Sequence, residues 1–299
     1  MENLITFIGF GEAAFHIANG LKSEGLMNIV AYDINQNDEK RGEIIRKRAE
    51  EAGITLADTL EEAYSSAKFI ASLTSSKVAY EVAELIIPNL LPGQVFVDMN
   101  SAAPVLKSDI GNIPHAEGVL VCDAAVMSTV PGSGHKVPIF LSGEGANAFH
   151  DSLKEYGMNL TNLNAPIGGS SAIKMFRSVF MKGLPQLMIE SMIPAAKFGA
   201  LDALVESLNE TIVGKTIEDL ANVFIARTVV HAERRAKEMT DVVSTLESMG
   251  IDASMSKSTK EKLEQLAAMN LVDVIGPKGD MEFREAIKLL LVQGEISNE

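Results

Sequence analysis

A second cysteine is missing from the chain, and with it any intramolecular disulfide: Cys122 stands alone among 299 residues. A solitary thiol fits a reducing compartment. No C-x-x-C is present, and the five histidines (His16, His115, His135, His150 and His231) fall at no metal-ligand spacing, so no metal is expected. Positive charge is also scarce. Lys and Arg number 26 against 40 Asp and Glu, a net charge of −14 that argues against a nucleic-acid backbone or an anionic membrane as partner. An anionic substrate would therefore need a local cationic pocket. No uncharged apolar run is long enough to span a bilayer. Met1-Glu2-Asn3 leads directly into the first apolar segment without a signal-peptide pattern, so a cytoplasmic location is expected. Low-complexity linkers and short repeats are likewise missing, so the two domains that the length suggests should share a large interface.

What is present begins with Leu4-Ile5-Thr6-Phe7-Ile8, an apolar run too short for a helix, followed by Gly9-Phe10-Gly11-Glu12-Ala13-Ala14 and a helix-period segment through Leu21. This is the strand, tight turn and helix in which G-x-G-x-x-G/A binds a dinucleotide. Gly9 permits the turn, Gly11 lets a pyrophosphate approach the backbone, and Ala14 lets the helix lie on the strand. The free N–H groups of the helix start face the phosphates. An acidic residue is expected roughly 20 residues on. Asp33, after Asn28 to Tyr32, supplies it and could accept from both ribose hydroxyls.

Further short apolar runs follow at Ile54–Ala57, Lys68–Leu73, Gln94–Asp98, Gly118–Val126, Val137–Leu141 and Asn159–Leu163. Helical patterns over 35–51, 77–91 and 104–110 alternate with them, which predicts a doubly wound parallel sheet. Loops at strand ends, Thr74-Ser75-Ser76 and Met99 to Pro104, stand where such sheets place ligands. The small, glycine-rich loop Met127 to Gly134 is either a connection or a substrate cradle of backbone N–H groups. From Pro166 onward the pattern is helical throughout: 170–198, 201–213, 217–249, 256–270 and 281–292. The expected organisation is a Rossmann-type domain over 1–166 and an all-α domain over 167–299. Pro185 and Pro194 should bend or break the first long helix. Its apolar excess predicts a homodimer.

Lys174, Arg177 and Ser178 share one helical face. A lysine beside an arginine, half-buried between domains, would have its pKa lowered by desolvation and like charge, which makes it a usable proton shuttle. A solvated basic stripe is the other reading. Arg227, His231, Arg234 and Glu238 form a second stripe, either a source of substrate contacts or a surface ladder with an Arg234–Glu238 pair.

Four motifs together resemble the β-hydroxyacid dehydrogenase superfamily, which includes 3-hydroxyisobutyrate and 6-phosphogluconate dehydrogenases. They are Phe7 to Ala14; Asp98, Asn100, Ser101 and Pro104; Asp123 to Thr129 in place of D-A-P-V-S-G-G; and Ser170 to Ser178 in place of G-x-x-x-K-x-x-N-N. The resemblance covers nearly the whole chain, and its C-terminal half is similar to the branch with a phosphogluconate-dehydrogenase-like C-terminal domain. It implies an NAD(P)-dependent dehydrogenase or reductase of a small β-hydroxy acid or related carbonyl compound. Lys174 would be its general acid/base, with Ser178 beside it. Phe10, Glu12, Ala13, Thr74, Ser75 and Asn100 would join Gly9, Gly11, Ala14 and Asp33 around the cofactor, and Ser101 would lie near the nicotinamide. Met127, Ser128 and Thr129 would hold the substrate, with Arg177, His231 and Arg234 adding charge. Asp33 favours NAD; Lys40 and Arg41 keep NADP open. Two departures stand out: Arg177 and Ser178 replace the two asparagines, and Ser128 and Thr129 replace glycines. Arg177 suggests a more anionic substrate. The rival readings are a dinucleotide-binding redox sensor without turnover and an oxidative decarboxylase of a phosphorylated sugar acid.

Overall fold

The computed structural model describes residues 3–65 and 67–296, so Met1 and Glu2 of the expected lead-in lie outside the described residues. It divides into two compact units, Met1–Val179 and Phe180–Glu299.

The first unit is a sheet of eight strands: β1 (Asn3–Ile8), β2 (Ile29–Tyr32), β3 (Thr55–Leu56), β4 (Ala67–Ser72), β5 (Val95–Asp98), β6 (Leu120–Val126), β7 (Ile139–Ser142) and β8 (Leu160–Asn162), in the order β3-β2-β1-β4-β5-β6-β7-β8. Six helices connect them: α1 (Glu12–Ser23), α2 (Arg41–Ala52), α3 (Leu60–Ser65), α4 (Ala79–Ile86), α5 (Pro104–Gly111) and α6 (Ala146–Leu153). Alternation along the strands decides the layering. Phe7, Phe69, Val97 and Cys122 enter one buried cluster, while Ile8, Ile70, Phe96 and Val121 enter another. Helices cover both faces, as the near-continuous apolar runs require.

β1 to β6 are parallel as expected, but β7 pairs antiparallel with β6, and β8 follows β7 in parallel. The cause is the connection: residues 127–138 hold no crossover α-helix, and a loop alone returns the chain as a hairpin. The helix expected from residue 35 starts only at Arg41. Asp33 Oδ1 accepts from Asn35 N (2.9 Å), and Asp38 Oδ1 accepts from Lys40 N (2.9 Å) and Arg41 N (2.7 Å), so side chains hold residues 33–40 in turns.

α7 (Gly169–Lys197) runs on through Pro185 and Pro194, and the division between units falls within it. Neither proline ends the helix, although each removes one amide donor at about 3 kcal/mol; strong helix formers such as Leu184, Gln186, Ala195 and Ala196 flank them. The second unit adds α8 (Leu201–Ile212), α9 (Ile217–Val230), α10 (Ala232–Ser248), α11 (Ser254–Ala268), α12 (Val272–Ile275) and α13 (Phe283–Ile296). The single helix expected over 217–249 is thus two, broken at His231. Two small cores explain the break. Ala226 and Val229 pack with Leu271, Ile275 and Ala286, whereas Ala232 and Ala236 pack with Leu263. Among the described residues no helix is long and apolar enough to cross a membrane.

Candidate active site

The glycine turn opens the site at the carboxyl end of β1. Gly9 sits at φ +87°, and a Cβ there would stand 2.6 Å from the Leu73 carbonyl oxygen. A side chain is therefore excluded by backbone conformation and by the neighbouring strand. Gly11 differs: a Cβ there would meet no atom within 4 Å. Packing does not demand glycine at this position, so open space over the start of α1 is what its missing side chain preserves. That is the cradle a pyrophosphate needs. Ala14, on α1, is buried, Phe10 is fully buried, and Glu12 and Ala13 open the first turn of α1.

Asp33 closes the turn from the end of β2. Its Oδ2 accepts from Phe10 N (2.8 Å) while Oδ1 serves the Asn35 amide. Oδ1 also accepts from Asn35 Nδ2 (3.4 Å), whereas Oδ2 keeps a further lone-pair direction for a ligand hydroxyl. Thr74 and Ser75 are exposed on the loop after β4. Asn100 is buried: its Nδ2 donates to Asp98 Oδ1 (2.6 Å) and Ser72 Oγ (3.1 Å), and its Oδ1 accepts from Thr74 Oγ1 (3.4 Å). It ties together the loops of β4 and β5 rather than presenting its amide outward.

Beneath these loops lies a charged cluster. Asp98 and Asp123 end up side by side in the β5–β6 register. Lys107, on α5 and fully buried, donates to the Asp98 carbonyl (3.0 Å) and pairs with Asp98 Oδ2 (2.8 Å) and Asp123 Oδ1 (3.1 Å). Asp123 in turn anchors the start of α7. Its Oδ2 accepts from Ser171 N (2.9 Å), its Oδ1 from Ser171 Oγ (2.8 Å), and its carbonyl from Ser170 Oγ (2.9 Å). An anion at a helix N-terminus also suits the macrodipole.

One turn beyond Ser171, Lys174 Nζ donates to Ser101 Oγ at 2.5 Å. Lys174 is half-buried, and burial pushes its pKa below the ordinary lysine value. Lys107 pushes it further in the same direction, while Asp123 opposes. The direction is that expected from the sequence, but the like charge responsible is Lys107 and not Arg177. Lys107 was missed at the level of sequence, although two aspartates in successive buried runs, Asp98 at the end of one and Asp123 inside the next, with a lysine between them in the chain, were the available signal. Arg177 is exposed, and Ser178 Oγ donates to the Lys174 carbonyl (3.0 Å).

The loop after β6 is fastened at its far end. Met127 N donates to the Pro138 carbonyl (2.9 Å), which extends the hairpin, while Ser128 and Thr129 are exposed. His135 is buried against α1 at Gly20, where a Cβ would lie 2.0 Å from Nδ1, and its Nε2 is 3.4 Å from Glu24. Burial pushes the His135 pKa down against the pull of Glu24. His231 and Arg234 lie in the second unit. His231 occupies the α9–α10 break, so the stripe read as one helical face is interrupted there. Arg234 is exposed and paired with Glu238 at i+4, the surface-ladder alternative. Among the described residues no group of three or more His, Cys, Asp or Glu is placed to hold a metal ion.

Residues 4–164 match the family model described as the NAD binding domain of 6-phosphogluconate dehydrogenase, which is more than half of the chain. The chain belongs to the β-hydroxyacid dehydrogenase superfamily. Residues 195–266 match a second model, a domain of unknown function (DUF1932). A solved structure of a conserved hypothetical protein from Sinorhizobium meliloti 1021 is 33% identical, with 98% of this chain and 97% of that one covered and a TM-score of 0.64. A second, of a protein of unknown function described as structurally similar to 3-hydroxyacid dehydrogenases, is 28% identical over 89% of this chain and 98% of that one, with a TM-score of 0.62. An imine reductase from a Pseudomonas species shares the superfamily fold at 16% identity, with 97% of this chain and 100% of that one covered and a TM-score of 0.66. The glycine turn and Asp33 of this superfamily member thus belong to an NAD(P)-binding dehydrogenase or reductase domain.

Proposed function

We propose that the protein transfers hydride between a nicotinamide cofactor and a small β-hydroxy acid or a related hydroxy or carbonyl compound, with Lys174 as general acid/base. The observation that carries this reading is the Lys174 amine, half-buried, with its pKa lowered, and hydrogen-bonded to Ser101 at the carboxyl end of the sheet. The cofactor, when bound, takes up or supplies the hydride. Residues 9–14 would hold its pyrophosphate over Gly11, and Asp33 its ribose; Thr74 and Ser75 would line the groove. Asp33 favours NAD over NADP because a 2′-phosphate would meet a carboxylate. In oxidation Lys174 accepts the proton of the substrate hydroxyl; in reduction it returns it. Ser101 orients the amine. Met127, Ser128, Thr129 and Arg177 would hold the substrate's anionic group.

The test is a panel of small hydroxy acids, phosphorylated sugar acids, aldehydes and cyclic imines followed by nicotinamide absorbance, with Lys174→Ala as control. Turnover on a hydroxy acid that falls about 10²- to 10⁴-fold in Lys174→Ala, with cofactor affinity kept, is the expected result. Tight cofactor binding with no turnover on any compound supports the sensor reading instead. Carbon dioxide release would identify the decarboxylase, and turnover of imines alone would move the substrate class to C=N.

A further inference from the structure

We propose that Lys107 is a positioning residue: by bridging the carboxylates of Asp98 and Asp123 it sets the Lys174 amine and the Ser101 hydroxyl at hydrogen-bonding distance. The inference rests on the reading of Lys174 as the acid/base and adds a residue that touches neither substrate nor cofactor in that reading.

The parallel register puts Asp98 and Asp123 at paired positions of adjacent strands, both with essentially no exposure. Two buried carboxylates so placed repel each other, and neither strand can shift without exposing its apolar faces. Lys107 resolves this by donating a hydrogen bond to the Asp98 carbonyl and forming ion pairs with Asp98 Oδ2 and Asp123 Oδ1. Each carboxylate then reaches outward in a different direction. Asp98 Oδ1 accepts from Asn100 N (3.0 Å) and Asn100 Nδ2 (2.6 Å), which shapes the turn that presents Ser101. Asp123 takes the amide and hydroxyl of Ser171, which fixes the first turn of α7 and so the next turn, where Lys174 projects. One cation thus joins the loop carrying the acceptor to the helix carrying the donor. The charged and polar groups around Lys174 are Lys107 from α5, Asp123 from β6, Ser101 from the loop after β5, and Arg177 and Ser178 on its own helix. Loss of Lys107 removes the neighbouring positive charge as well as the bridge.

The experiment follows the lysine side-chain signals of protein labelled with 13C-lysine. Lys174 is assigned by its disappearance in Lys174→Arg. In Lys107→Met the Lys174 titration midpoint is expected to rise by about half a pH unit or more, and exchange of the Ser171 amide to quicken about tenfold. Lys107→Arg should restore both toward wild type. If Lys107→Met does not fold, Lys107→Met/Asp98→Asn, which removes one charge of each sign, keeps the test open through the Ser171 amide alone. A folded Lys107→Met with an unmoved Lys174 midpoint overturns the proposal. So does wild-type Ser171 exchange in whichever variant folds. No substrate enters these measurements, so failure to find turnover counts against the enzymatic reading and leaves this one standing or falling by itself.

Discussion

Lys174 is held in a form that opposes its own charge, and this has a consequence for stability. Its pKa is lowered in the folded state, so the unfolded chain binds the proton more tightly than the native one. Stability contributed at this site therefore rises as pH climbs from the lowered folded pKa toward the unfolded value near 10.4, and the penalty is fully present below that window. Lys174→Met is expected to melt at a higher temperature than wild type at pH 7, with the gain shrinking as pH approaches 10. Calorimetry at several pH values checks this. A gain that stays constant across pH would place the effect in packing rather than in the buried charge. The place of Asp33 beside the glycine turn was readable from its spacing after Gly11, whereas the role proposed for Lys174 came from the resemblance, since its helical face alone read equally as a solvated basic stripe. Lys107 was not readable from spacing, because a lysine one turn into a short helix looks solvated until the strands that flank it are placed in register.

At the scale of elements, the glycine turn separates folding from binding. Gly9→Ala places a methyl group against Leu73 in a left-handed backbone and is expected to lose about 1–3 kcal/mol of stability. Gly11→Ala meets nothing in the protein and keeps an extended backbone, so its stability should stay within about 0.5 kcal/mol of wild type, while NADH affinity, read by fluorescence titration, should fall at least tenfold. Equal loss of stability in the two variants would remove the cofactor as the reason for Gly11. The strands were legible because short apolar runs with helical intervals leave few alternatives. Strand direction was not: β7 has the same two-residue alternation whichever way it runs, and only the absence of a crossover helix over 127–138 reverses it. The split at His231 was hidden for a similar reason. Helical periodicity carries across Thr228 to Arg235 although the two halves serve different cores.

For the whole molecule, α7 poses the largest question. Only Ser170 and Ser171 are buried along its 29 residues, while Phe176, Val179, Phe180, Leu187 and Ile189 are exposed. Apolar surface on this scale marks a contact, and the homodimer expected from the sequence remains our proposal for what covers it. Size-exclusion chromatography with light scattering should give twice 32.1 kDa; a monomer mass at micromolar concentration would remove the dimer. Dimerisation would also make the melting temperature rise with protein concentration.

The solitary thiol of Cys122 lies in the middle of the β6 strand, fully buried, and both burial and the neighbouring Asp123 push its pKa up. It cannot react with an alkylating reagent until the sheet itself comes apart. The protein therefore carries a built-in clock for its own opening. Under native conditions, the alkylation rate measured by mass spectrometry should track global unfolding, slow when NADH is added, and accelerate in Gly9→Ala but not in Gly11→Ala.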